Sequence, residues 1–234
     1  MRPDHFRPFL VANIAGLVFV MAPQVQAVDA AAGTVHAVSG SRFEAVQNDG
    51  RARNLTANGG VREGDLLRTA PDTWARVKFS DGSFVVLEPD SEFKVEQYQH
   101  DARKPDESTG FFSLLKGGLR TLTGLIGKRR PDNYRMRAGS STIGIRGTDY
   151  SMKLCSGDRC ASLNPVPEDG LYIRVERGGT ITVTSGNPPE TVTVSGPQGV
   201  FVGFGKAPKL MNLSDAFPTQ QLNQVPANPA GCGG

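Results

Sequence analysis

The stretch Thr142–Tyr150, TIGIRGTDY, reads as a β-strand that changes sides in mid-course. Ile143 and Ile145 share one parity, whereas Tyr150, Met152 and Leu154 share the other. Side chains alternate with a period of two, so only a bulge or tight turn near Gly147 keeps both apolar sets on one core. Glycine supplies the backbone freedom for that kink. Arg146 sits on the opposite parity from the two isoleucines. It reads chiefly as a structural arginine bonding carbonyls at the kink, with a solvent-facing contact as the alternative.

Outward from this corner the chain runs in short strand-like pieces. Gly33–Val38 alternates and ends at Ser39-Gly40, and Phe43–Val46 is followed by Asn48-Asp49-Gly50, a hairpin signal. Val61–Thr69 carries Glu63-Gly64-Asp65 ahead of Leu66 and closes on Thr69. In Trp74–Leu87, a two-residue turn at Asp81-Gly82 would set Phe79 opposite Phe84 and Val77 opposite Val86 on one face. Arg76 and Lys78 then occupy the other face. Ser83 has no local base to activate it, so Asp81-Gly82-Ser83 is read as structural.

His100–Gly110 is polar and reads as a surface loop. Phe111–Arg130 places apolar residues at a helical spacing with basic residues opposite, the pattern of a membrane-surface helix. Gly117, Gly118, Gly124 and Gly127 argue against such a helix in water. Two short strands, or a strand and one helical turn, are expected instead. Lys128-Arg129-Arg130 reads as a solvated face, with contact to an anionic surface or acidic partner as the alternative.

A second β-series follows, with Leu171–Glu176, Thr180–Thr184 and Thr191–Ser195 alternating apolar and polar or hydroxyl residues. Its order of strand, glycine turn, strand and glycine corner loosely echoes Gly33–Gly64. The expected fold is therefore all-β, solenoid-like (a short-stranded β-helix) or sandwich-like, as one wrap or two β-subdomains. From about Lys206 periodicity is lost, and 206–234 reads as a flexible tail with a short helical turn near Ser214–Phe217.

Arg2 and Arg7, the apolar run Phe9–Met21 and small residues up to Ala27 form the pattern of a signal peptide over 1–27, cleaved between Ala27 and Val28, with an uncleaved N-terminal anchor as the alternative. The expected localisation is periplasmic or secreted. The segment 155–170 reads as a loop, in which Cys155 and Cys160, bracketing Ser-Gly-Asp-Arg, could close a small disulfide in an oxidising compartment; alternatively they form a C-x4-C metal half-site. No second cysteine or histidine pair completes such a site, and Cys232 is left over. With 26 basic and 23 acidic residues the net charge is only +3, which gives nucleic-acid binding no support.

Several elements occur in order: GTVHAVSG at Gly33–Gly40, GGVREGDLLRT at Gly59–Thr69, ARVKFSDGSFVVLEPDSEF at Ala75–Phe93, FFSLLKGGLRTLTG at Phe111–Gly124 and STIGIRGTDY at Ser141–Tyr150. Together they resemble the FecR domain over Gly33–Leu154, with 171–205 similar to the β-rich continuation that follows it. On that resemblance, Gly64, Asp65, Thr69, Asp81, Gly82, Ser83, Ile143, Gly144, Arg146, Gly147 and Thr148 are family-motif structural positions. In the founding members the domain follows a cytoplasmic anti-sigma segment and one membrane helix, and relays the state of an outer-membrane receptor. Here a signal peptide is expected in place of that segment, so the relay is not carried over.

The resemblance implies a non-enzymatic sensing or protein-interaction module of the bacterial cell envelope with an envelope protein as partner. An alternative is binding to an envelope polysaccharide or an anionic membrane surface through the basic residues between Lys116 and Arg137, with Lys128, Arg129, Arg130 and Arg146 as candidate contacts. No catalytic, metal or cofactor residues are expected: His36 and His100 lie in no motif, and no paired-carboxylate spacing appears.

Overall fold

Alternating apolar and polar residues make strands here, but most strands are only half of a longer chain arm that bends at a corner. The computed structural model describes residues 31–161, 166–196 and 198–211. The expected signal peptide with its Ala27–Val28 cleavage site, the turn near Ser214–Phe217 and Cys232 lie outside the described residues.

The first arm joins β1 (Gly33–Ser39) to β2 (Phe43–Val46), and the second joins β3 (Ala52–Asn54) to β4 (Gly60–Val61). The third runs β5 (Leu66–Thr69) into β6 (Trp74–Phe79), and the fourth β7 (Phe84–Leu87) into β8 (Glu92–Gln99). The fifth arm is one continuous strand, β9 (Thr109–Leu122), with its bend at Gly117. A single helical turn, α1 (Leu125–Arg129), leads to β10 (Tyr134–Ala138), which has no second half. The arms resume with β11 (Ser141–Arg146) into β12 (Asp149–Cys155), then β13 (Gly170–Arg177) into β14 (Thr180–Ser185). The last is β15 (Glu190–Ser195) into β16 (Gly199–Val202), followed by β17 (Lys209–Met211).

Each arm gives one strand to each of two sheets. Sheet I has the order β4-β1-β6-β7-β9-β12-β13-β16-β17. Sheet II has the order β3-β2-β5-β8-β9-β10-β11-β14-β15. Every neighbouring pair is antiparallel except β9 with β10. The strand β9 belongs to both sheets, so all the strands form one hydrogen-bonded network that folds into two layers without closing.

The layers meet through a single apolar core running from Ala32 to Val202. Phe79 of sheet I packs edge-on to Phe112 of sheet II with ring centroids 5.2 Å apart, and Phe112 in turn contacts Phe93 and Tyr134, each at 5.5 Å. Burying each such side chain is worth about 1.5–3 kcal/mol. The block 171–205 is continuous with the rest: β13 pairs with β12 along its length, and β14 pairs with β11.

The corner at the opening motif moves the chain from sheet II to sheet I. Ile143 and Ile145 are buried in β11 and Tyr150, Met152 and Leu154 in β12, with Gly147 between them at φ +59°. Phe111–Arg130 resolves into a strand and one helical turn, too short for the membrane-surface alternative. Beyond Lys206, within the expected tail, Lys209 and Leu210 pair with Phe201 and Val200.

The Trp74–Leu87 hairpin needs correction. Phe84 stands opposite Lys78, and Val77 opposite Val85, one residue out from the expected register. The reason is the Asp81 carboxylate, which accepts hydrogen bonds from the Ser83 amide (3.0 Å) and hydroxyl (2.6 Å). That bond draws Ser83 into the turn, and the Phe79 amide closes on the Ser83 carbonyl at 2.9 Å. A one-residue slip exchanges faces. Val85 and Leu87 are therefore the buried pair, while Phe84 lies outside with Arg76 and Lys78.

Candidate functional site

The motif positions are scattered nodes that hold arms together. Asp65 is fully buried, ion-paired with Arg53 and bonded by the Arg62 amide at 2.7 Å. Gly64, at φ +79°, forms the turn before it and offers its carbonyl to Lys94 at 2.6 Å. The Thr69 hydroxyl donates to the Glu88 carbonyl at 2.6 Å and accepts from the Ser91 amide at 2.9 Å, joining the third and fourth corners. Asp81 is buried beside Gly82; its second carboxylate oxygen accepts the Ile126 amide at 3.3 Å, and its carbonyl accepts the Leu125 amide at 2.9 Å. Thus one aspartate fixes both the hairpin turn and the start of α1.

At the central corner Thr148 is the clamp. Its amide donates to the Thr123 hydroxyl at 2.9 Å, and its own hydroxyl reaches the carbonyls of Arg146 at 3.2 Å and Thr180 at 3.1 Å. Arg146 does not bond carbonyls at the kink: its side chain is exposed, with no hydrogen bond or ion pair among the described residues. Cys155 and Cys160 form a disulfide that packs with Tyr172, Phe201 and Met211 at one end of sheet I.

The residues that do converge lie on the outer face of sheet I. The register sets Lys78, Phe84, Leu122, Asp149 and Arg177 in one row across β6, β7, β9, β12 and β13. Arg76, Val86, Arg120, Ser151 and Arg174 form the row beside it. A groove of about 600 Å³ runs over these rows, lined by Arg76, Phe84, Arg120, Leu122, Asp149 and Arg177, with Lys128 of α1 at its side. Its floor is apolar. The Arg76 guanidinium lies 4.6 Å above the Phe84 ring, within cation–π range. Arg120 grips the acid of this lining, Asp149, in a bidentate pair of 2.8 and 2.7 Å, and a second carboxylate, Glu176, accepts from the Ser151 hydroxyl beside it at 2.6 Å. Arg76, Arg120, Lys128 and Arg177 thus share the lining with one acid, and the groove is set up to receive negative charge together with apolar side chains.

Next to the groove, the Glu88 carboxylate folds over Gly118 to meet Lys153 at 2.5 Å. Burial raises the Glu88 carboxyl above the ordinary carboxylate range, and Lys153 offsets this only in part. In the core, burial pushes the Tyr134 phenol up to about 12 and raises its neighbour Tyr150 well above the ordinary phenol range. Burial and the Asp81 carboxylate raise the Tyr98 phenol, which meets the Asp81 amide at 2.9 Å. These tyrosines are held protonated and structural. Among the described residues no three His, Cys, Asp or Glu side chains are placed to hold a metal ion. The His100 ring meets only the Ser108 hydroxyl, at 3.3 Å, and His36 stands edge-on to Phe84 at 6.1 Å.

Of the expected contacts, the structure brings only Lys128 to the groove. Arg130 pairs with Asp106 at 3.3 Å, and Arg129 lies exposed on the far side of α1 beside His100. Arg120 and Arg177 were not singled out in the sequence. Their signal was there: both are basic residues inside strand-like segments, on β9 and β13.

Fold and groove together define an open, two-layered β-module with a largely cationic groove on one face. A protein-family model described as FecR protein matches residues 65–164, so the chain carries a FecR domain there. The match spans β5 to the disulfide loop, and both sheets extend beyond it at either end. It supports a sensing or regulatory role at the cell envelope. No curated protein matches the chain.

Proposed function

We propose that this chain is an exported, non-enzymatic sensing module of the cell envelope that docks an envelope protein on the outer face of sheet I. The observation that carries the reading is the groove over β6, β7, β9, β12 and β13, whose lining combines four cations and apolar side chains with one acid, Asp149. A flat apolar strip edged by guanidinium groups favours a protein segment carrying acidic and aliphatic side chains, with charge setting orientation and apolar burial setting affinity. Export is supported by the basic, apolar and small-residue pattern of residues 1–27.

The test is site-specific photocrosslinking in cells. A benzophenone amino acid at Leu122, in the groove, is compared with one at Leu115, which is exposed on sheet II's half of β9. A protein adduct from position 122 alone, lost when Arg177→Glu is added, supports the reading. Adducts that survive the charge reversal, or that arise equally from position 115, overturn the docking face. Recovery of uncleaved chain in the cytoplasm overturns export.

A further inference from the structure

The outer face of sheet II has a different chemistry, and the sheet I groove makes no use of it. The pairing of β10, β11, β14 and β15 aligns it into rows: Arg137–Thr142–Thr184–Thr191, Gly144–Thr182–Thr193 and Arg146–Thr180–Ser195. Hydroxyls fill the rows and bond across strands, Thr184 to Thr191 at 2.8 Å and Thr180 to Ser195 at 3.2 Å. Thr142, Thr182 and Thr193 make no side-chain hydrogen bond among the described residues. Arginines edge one side of this grid. The Arg135 guanidinium lies 5.4 Å from the Phe111 ring, and Arg137 and Arg146 are exposed. None of the three has a carboxylate partner among the described residues, whereas Arg53, Arg120 and Arg130 all do.

Between arginines and hydroxyls lies a recess of about 430 Å³, lined by Gly144, Arg146, Thr180, Thr182, Thr193 and Asp132. Gly144 creates it: a Cβ at that position would stand 2.6 Å from the Thr182 hydroxyl. Asp132 is the acid at this rim, and Glu190 lies exposed at the start of β15. Polar groups repeat about every 4.8 Å across the strands and about every 6.8 Å along them. A surface periodic in both directions suits a repeating polymer better than a single small molecule. Guanidinium groups bind carboxylates in bidentate fashion, and hydroxyl rows both donate to and accept from other hydroxyls.

We propose that the outer face of sheet II binds a carboxylated polysaccharide, a uronic-acid polymer, with Arg135, Arg137 and Arg146 on its carboxylates and Thr182 and Thr193 on its ring hydroxyls. Asp132 accepts from a ring hydroxyl at the rim of the recess. The site is independent of the protein-docking groove on the opposite face.

The experiment is affinity electrophoresis of the full chain at about 0.15 M salt, with polygalacturonate, neutral dextran or poly-L-glutamate in the gel. Polygalacturonate retards the chain, dextran does not, and poly-L-glutamate binds at least about tenfold more weakly. Arg146→Ala and the double variant Thr182→Val, Thr193→Val each weaken polygalacturonate binding about tenfold with unchanged melting, while Arg177→Glu on the other sheet leaves it unaltered. Absence of retardation by polygalacturonate overturns the site. Equal retardation by poly-L-glutamate, or parent-like binding by the threonine double variant, reduces it to ion exchange and also overturns it.

Discussion

Two glycines at neighbouring corners should respond very differently to the same methyl group. Gly147 and Gly179 both have positive φ, +59° and +69°. An L-residue there costs roughly 1–2 kcal/mol from backbone strain alone. Around Gly147 there is room, since a Cβ would meet only Lys128 Cγ at 3.4 Å. At Gly179 the Cβ would lie 2.5 Å from the Gly147 carbonyl, 2.5 Å from the Thr148 hydroxyl and 2.6 Å from the Arg146 carbonyl. Relieving that clash pushes two corners apart. It adds about 1–3 kcal/mol of overpacking and strains the Thr148 bonds to Arg146 and Thr180, worth about 1 kcal/mol between them. Gly147→Ala should therefore cost about 1–2 kcal/mol, or about 2–8 °C in Tm for a domain of this size. Gly179→Ala should cost about 3–6 kcal/mol and at least about 6 °C. Circular dichroism melts and urea titrations of the two variants read the difference directly. Equal losses, or a larger loss at Gly147, would refute the close approach of these corners.

Other outcomes follow from single residues. Asp81→Ala removes the acceptor for Ser83 and Ile126 and should destabilise the fold by about 2–4 kcal/mol, visible as a lowered urea midpoint. Glu88 has a raised carboxyl, so it holds more protons folded than unfolded, and its contribution to stability falls as pH climbs out of the ordinary carboxylate range. In Glu88→Gln that slope should vanish, so the variant gains on the parent as pH rises from about 4 to about 7; a gap constant with pH would contradict this. Reducing the Cys155–Cys160 disulfide, which closes a loop with a sequence separation of 5, should cost about 2 kcal/mol in urea unfolding with and without reductant.

Strand existence was legible wherever alternation was strict, as in Thr180–Thr184, and so was the side change at Gly147, because parity is a local property. The hairpin register was not. It depended on whether Asp81 bonds Ser83, a competition between turn types that alternation does not reveal, and the slip carried Phe84 to the outer face. Nor was β9 visible as one strand, since its glycines look like breaks until the fourth arm packs against them. The groove was least legible of all. Arg76, Arg120 and Arg177 are brought side by side by pairings between distant strands, and of the named candidate contacts only Lys128 marked the region.

The unpaired strand β10 has a geometric consequence. Between the same two arms, sheet II holds β9, β10 and β11, whereas sheet I passes directly from β9 to β12. Between those two arms sheet II is thus wider than sheet I by a strand, about 4.8 Å, at a layer separation of about 10 Å. Like a keystone, β10 makes the arms on either side splay outward across sheet II and lean together across sheet I. The β9–β12 seam carries Arg120, Leu122 and Asp149, the middle of the groove. The hollow on that face is therefore a property of strand count, and deleting or thickening β10 would flatten or deepen it without altering any residue that lines it.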